Sequence, residues 1–169
     1  MVQVWTIWVV TFTGEVNKFR RKIQIFNGVK WLNFSNEELF ALFSVLDSSP
    51  FKISEGELSV AFLGKKAMQN LHLKFSNDDT LTDVITFEGD QGMNFAGEIC
   101  VSPDYAYGNC KTYGTTFSEE LSLYLIHGYL HIYGLNDTSP NEAKKMREGE
   151  HICMAQVKNA NALPTFLAY

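Results

Sequence analysis

No run of eighteen or more apolar residues occurs in this 169-residue chain, so nothing in it reads as a membrane span. Cysteine is scarce: Cys100, Cys110 and Cys153 form no CxxC pair. A sparse, odd set of this kind points to a reducing compartment, the cytoplasm. The opening "MVQVWTIWVVTF" has neither a positive n-region nor a small-residue cleavage site, which argues against a signal peptide. It reads as a strand or as a misassigned start. Positive charge is also lacking. The net charge is −5, so any grip on nucleic acid has to come from local patches rather than from the overall field. Repeats, low-complexity tracts and Pro/Gly/Ser-rich linkers are missing, and the economical reading is a single domain over residues 1–169.

Apolar residues make up 46% and charged residues 20%, ordinary values for a globular protein of a length that supports a real core. "KIQIFNGV" (22–29) reads as a strand entering a turn at Asn27-Gly28. "SNEELFALFSVL" (35–46) reads as a helix, with Ser35 as N-cap, Glu38 at the capping-box position, and an apolar face of Leu39, Leu42, Phe43 and Leu46. "GELSVAFL" (56–63) alternates like a strand, and "KKAMQNLHLKF" (65–75) is helical with Met68, Leu71 and Phe75 on one side. "DVITF" (83–87) and "AGEICVS" (96–102) are short β-type runs, followed by a Tyr/Gly/Asn-rich loop, "PDYAYGNCKTYG" (103–114). The strongest helix spans 116–134, with Ser118 as N-cap, Leu121, Leu125, Tyr129 and Ile132 as the buried stripe, and Gly134 as the stop. A last helix (139–157) starts with Ser139 as N-cap and Pro140 at the first helical position. The order β-α-β-α-β-β-α-α gives an α+β domain: a small mixed sheet covered by helices.

Within "HGYLHIYGLND" (127–137), His127 and His131 are four residues apart and so stack on one helix face, where two imidazoles reach one ion. Gly134 ends the helix, and Asp137 on the return path can offer a carboxylate oxygen. Three such ligands leave a position for water, the pattern of a catalytic zinc, which lowers the pKa of that water. A plainer reading uses the same residues: an incidental HxxxH, a glycine C-cap, and an aspartate serving as a turn or cap residue before Ser139. The residue after His127 is Gly128, where HExxH metalloproteases carry a glutamate base. That speaks against a peptidase.

"HGYLHIYGLND" resembles the H-G-x-L-H-L-x-G-Y-D-H motif of the YbeY-type bacterial endoribonucleases, the rRNA maturation factors. "LHLKFSNDDTLTDVITF" (71–87) resembles that family's L-N-x-x-Y-R-x-x-D-x-x-T-D-V-L-S-F, "AGEICVSPDYA" (96–106) its G-D-I-x-I-S segment, and "NEAKKMREGE" (141–150) its D-E-x-x-x-M-x-x-x-E run. The blocks keep the family's order and cover roughly residues 55 to 155, while the first 50 residues carry little of the likeness. The resemblance implies a zincin-like α+β fold with the metal site on a central helix. It also implies one zinc ion on His127, His131 and Asp137, and cleavage of single-stranded RNA in ribosomal RNA processing through the water on that ion. RNA and the ribosome are the implied partners. Asp137 falls where the commonest family pattern has histidine; a carboxylate is a competent ligand there and Asn136 a poorer one. Ser76 stands where the family often has an arginine suited to a phosphate. Lys74 is a nearby substitute, and Ser76 itself reads best as a turn residue.

Asp83 and Glu98 are candidates to face the metal cleft, with turn or solvated-strand roles as the alternatives, and Thr82 is a candidate to hold a loop against the central helix. Glu142, Met146 and Glu150 recur every four residues. Met146 reads as core; the glutamates pair with Lys145 or Arg147, or orient the metal ligands from outside. His72 and His151 read as surface residues. Lys18/Arg20/Arg21/Lys22, Lys65/Lys66 and Lys144/Lys145/Arg147 are candidate phosphate contacts or solvated faces. Tyr105, Tyr107 and Tyr113 are candidate base-stacking groups or core packers. Two other functions stay open: a metallohydrolase of another substrate such as a peptide, and a non-catalytic ribosome-associated factor braced by its metal.

Overall fold

The structure, a computed structural model, describes residues 21–169 in full and the strand backbones at 7–10 and 16–19. Of the expected N-terminal strand, Ile7–Val10 (β1) is described; it pairs antiparallel with Val16–Phe19 (β2). Four strands make the main sheet, in the order β3-β5-β7-β6. β3 (Ile23–Asn27), β5 (Glu57–Phe62) and β7 (Phe95–Val101) run parallel, and β6 (Val84–Asp90) is antiparallel to β7. A two-residue pair, β4 (Leu32–Asn33) with β8 (Leu167–Ala168), ties down the C-terminal tail. This is the mixed sheet with covering helices that the sequence pattern predicts. Among the described residues no helix is long and apolar enough to cross a membrane.

Strand alternation divides the sheet into two unequal faces. Leu58, Val60 and Phe62 of β5, with Ile99 and Val101 of β7, join one large core with helices α1 (Asn36–Asp47), α4 (Phe117–Tyr133) and α5 (Pro140–Asn159). Ala61 and Cys100, on the opposite face, form a small cluster with Met68 of helix α2 (Lys65–Ser76). Met68 is fully buried as expected, but Phe75 is 54% exposed, because α2 covers this face only in part. The stripe Leu121, Leu125 and Tyr129 is fully buried in the large core, with Ile132 half-buried at its rim.

Three expected features differ in the structure. The segment expected as a loop is helix α3 (Pro103–Tyr113): the Ser102 hydroxyl accepts from Tyr105 N, Pro103 opens the helix, and Gly114 at φ 70° closes it. The N-cap of α4 is Thr116 rather than Ser118. Thr116 and Glu119 satisfy each other's backbone N–H groups in a reciprocal box. Ser118 instead accepts from Phe166 N at 2.9 Å, holding the tail. Ser35 caps α1 as expected, but the Glu38 carboxylate accepts from Thr165 N, not from the cap.

The basic run at 18–22 also needs correcting. Arg20 and the side chain of Lys18 lie outside the described residues. Arg21 is buried, not a phosphate contact. It donates to Asp47 through Nε at 2.6 Å and through a terminal nitrogen at 2.8 Å, and to the carbonyls of Ile53, Ser54 and Gly56. Lys22 pairs with Glu57. Asp47 also accepts from the Tyr129 hydroxyl at 2.7 Å, which in turn accepts from Ile53 N. Burial and the neighbouring carboxylate push the Tyr129 phenol well above its ordinary pKa, so it stays a donor. Removing one member of a buried charged pair strands the other, at a typical cost of about 3–5 kcal/mol. Arg21→Ala should therefore lower unfolding stability by that order in urea denaturation, with Arg21→Lys intermediate; a loss under about 1 kcal/mol, the range of a surface pair, would contradict this role.

Candidate metal centre

Helix α4 carries the histidines on the side turned away from the Tyr129 anchor. A third side, at Gly128, meets the side chains of the sheet with no side chain of its own. A Cβ on Gly128 would lie 2.8 Å from Ile99 Cγ2, 2.9 Å from Val84 Cγ2 and 3.3 Å from Thr86 Cγ2. Position 128 thus faces β6 and β7, and a glutamate there would drive into the sheet rather than toward a cleft. At the C-terminal end Gly134 adopts φ 113°. Its N–H donates to the carbonyls of Leu130 and His131, and Leu135 N also donates to Leu130. The turn sends the chain back past the histidines and delivers Asp137.

The structure brings His127, His131 and Asp137 together: one donor atom from each lies within 4.8 Å of the others. The imidazole rings meet edge-on with centroids 4.4 Å apart. His127 Nε2 is 3.0 Å from His131 Nε2 and 3.7 Å from Asp137 Oδ2. Each Nδ1 already has an acceptor. His131 Nδ1 donates to the Leu135 carbonyl at 2.9 Å, and His127 Nδ1 donates to Glu150 Oε1 at 2.6 Å. With both Nδ1–H bonds committed, the two Nε2 atoms face each other and are the only ring positions left to take a proton or a metal ion. At 3.0 Å one proton bridges them while His127 is charged, and once both rings are neutral both lone pairs are open to a metal ion. Ligand nitrogens on a tetrahedral zinc, each roughly 2.0–2.1 Å from it, stand about 3.3 Å apart. The donors and their spacing therefore fit a divalent metal.

The electrostatics are lopsided. Burial works against a charged His127. The Glu150 hydrogen bond and the charges of Asp83, Glu150 and Asp137 outweigh it, and the imidazole titrates above its ordinary range. His131 titrates below it, through burial first and then the neighbouring His127 charge.

Of the other candidates, Asp83 stands beside the centre at the start of β6. Its Oδ1 accepts from the Thr82 hydroxyl and from Val84 N, so Thr82 braces Asp83 rather than α4 directly. Glu98 does not face the centre: alternation puts Ile99 against Gly128 and Glu98 on the other sheet face, where it accepts from Ser59. Glu142 accepts from Thr138 and from Ser139 N, closing the box that starts α5 directly after the Asp137 turn, rather than pairing with a lysine. Met146 is core. Ser76 is exposed as the last residue of α2, and Lys74 places its ammonium over the Phe75 ring. His72 meets the Thr80 carbonyl, and His151 is exposed. Lys65, Lys66, Lys144, Lys145 and Arg147 are exposed, with Lys144 near Glu148. Tyr105, Tyr107 and Tyr113 lie on α3, not on a loop. Tyr105 packs on Tyr124, Tyr107 meets Trp31 and Phe117 edge-on, and Tyr113 is exposed. The Leu135 carbonyl is the one contributor that side-chain motifs could not reveal, since a backbone acceptor leaves no residue signature.

Fold and donors together define an α+β domain that could hold a metal, with two candidate ligands on one helix and a third on the turn after it. The family described as Endoribonuclease YbeY matches residues 26–158, and the chain belongs to that family. It is 34% identical over 137 residues to the Endoribonuclease YbeY of Flavobacterium johnsoniae, covering 79% of this chain and 97% of that one. It is 33% identical over 100 residues to the Endoribonuclease YbeY of Parabacteroides distasonis, covering 59% and 70%. A Thermotoga maritima protein solved in solution shares the fold at a TM-score of 0.54 and 24% identity, over 83% of this chain and 94% of that one.

The contact at Gly128 can be tested directly. Its neighbours are methyls of β-branched residues, stiff at χ1, so Gly128→Ala forces the helix off the sheet. Overpacking of this kind costs about 1–3 kcal/mol, which thermal unfolding would show as a lower midpoint. A midpoint at or above the parent value, as helix propensity alone predicts for Gly→Ala, would refute the contact.

Proposed function

We propose that the protein is a zinc-dependent endoribonuclease acting on single-stranded RNA in ribosomal RNA maturation, in the cytoplasm and in association with the ribosome. The observation that carries the metal part is the convergence of three donor atoms within 4.8 Å: the two Nε2 atoms at 3.0 Å, with Asp137 Oδ2 at 3.7 Å from that of His127. Family membership and relatives named endoribonucleases support the substrate class. Free, buried cysteines suit a reducing compartment.

His127, His131 and Asp137 would hold the ion, two neutral imidazoles and one carboxylate leaving it a net positive charge. When bound, zinc supplies Lewis acidity toward phosphoryl oxygens and toward water. The chain's own part is orientation. Glu150 and the Leu135 carbonyl fix both imidazoles in the tautomer that points Nε2 outward, and the Gly134 turn holds Asp137 beside them. A peptidase of the HExxH kind is disfavoured, since position 128 is pressed against the sheet and offers no base.

His131→Ala and Asp137→Ala should each lower zinc content and abolish cleavage of a single-stranded RNA while the fold is kept by circular dichroism. Full zinc content with unchanged RNA processing in His131→Ala would sink the reading; zinc retained with no cleavage in the parent protein would favour a non-catalytic factor. Zinc affinity should also fall on acidification, since both imidazoles must lose their protons to ligate. Because His127 holds its proton above the ordinary histidine value of 6.5, the loss begins above that pH. Affinity that stays flat from pH 8 to pH 6 would contradict imidazole ligation.

A further inference from the structure

Glu150 lies on α5, 23 residues from the histidine it meets, and binds no zinc in the arrangement above. Its position follows from two features of α5. The box of Ser139 and Glu142 sets where the helix starts. Gly149 then lets it approach α4 closely: a Cβ there would lie 3.2 Å from methyls of both Leu130 and Leu135. One residue on, Glu150 Oε1 meets His127 Nδ1 at 2.6 Å, with the two side chains only 19% and 15% exposed. Among the described residues the Glu150 carboxylate has no other hydrogen-bond or ion-pair partner. His131, by contrast, leans on a neutral carbonyl in its own turn.

We infer that Glu150 is a positioning residue for the metal ligand His127, resting on the metal reading of the site given above. Its carboxylate accepts the Nδ1 proton, holds the ring's orientation, and fixes the tautomer that leaves Nε2 free. His131 can keep its tautomer through the local turn, but His127 has only this long-range partner. The consequence is that the α4–α5 packing, and not α4 alone, sets how tightly the ion is held.

The test uses the full chain stripped of metal, with zinc affinity measured by competition against a chromogenic chelator and Co2+ visible absorption as the coordination signature. Loss of such an outer partner typically weakens metal binding about 10–100-fold. Glu150→Ala should show that loss and an altered Co2+ spectrum. Glu150→Gln, whose amide oxygen can still accept from Nδ1, should restore the parent spectrum and part of the affinity. Glu148→Ala, on the exposed side of the same helix, should match the parent. If Glu150→Ala binds zinc as tightly as the parent with the same Co2+ spectrum, the inference is overturned while the metal reading stands. If Glu150→Ala fails to fold, Glu150→Gln decides alone: the parent spectrum with weakened zinc affinity supports the inference, and spectrum and affinity both equal to the parent's overturn it. A parent protein that binds no zinc overturns both.

Discussion

The Asp47 carboxylate, at the buried end of α1, is the point on which the rest of the molecule turns. It accepts two bonds from Arg21 and one from Tyr129, and so joins the entry to β3, the end of α1 and the C-terminal part of α4. Arg21 extends the junction into the 53–56 segment through three backbone carbonyls. These are charged groups with almost no water access, and such groups are tolerated only when fully paired. The network therefore leaves few positions for α4. Tyr129 sits midway between His127 and His131 in sequence and points to the other side of the helix. Its anchoring decides which side of α4 faces the sheet and which carries the imidazoles.

From that constraint the site follows by short steps. Gly128 lets α4 lie directly on Ile99, Val84 and Thr86, so the histidine side stands out beside the end of the sheet. Gly134 turns the chain back, supplies His131 with an acceptor, and brings Asp137 into reach. Gly149 brings α5 close enough for Glu150 to meet His127. Three glycines thus do three separate geometric jobs, and each sits next to or near a residue of the site. The result is a pair of facing ring nitrogens beside a carboxylate, a donor set that a proton or a metal ion can bridge.

Much of this was readable in the sequence, for a physical reason in each case. Helical spacing put His127 and His131 on one face, and the glycine stop predicted the return to Asp137. Ser139-Pro140 announced α5 through the same cap-and-proline chemistry that Ser102-Pro103 uses for α3. The second was masked by the Tyr, Gly and Asn residues that follow, which suggest a loop although the cap and Gly114 outweigh them. Arg21 was hidden in a run of charges, because composition cannot tell a solvated cation from one buried against an aspartate 26 residues away. Glu98 and Ile99 are neighbours in sequence but lie on opposite faces, so their roles depended on strand register. Glu150 could be marked as one of two glutamates that pair with a nearby cation or orient the ligands from outside; which of them meets His127 is a matter of how two helices pack.

Everything proposed for the function depends on one zinc ion held by His127, His131 and Asp137. X-ray absorption at the zinc edge on the purified full chain tests it most directly. The account predicts two imidazole nitrogens plus oxygen ligands at about 2.0–2.1 Å in a four-coordinate shell, with one imidazole contribution lost in His131→Ala. A shell containing sulfur, a shell with fewer than two imidazoles in the parent, or a protein that takes up no zinc would contradict it.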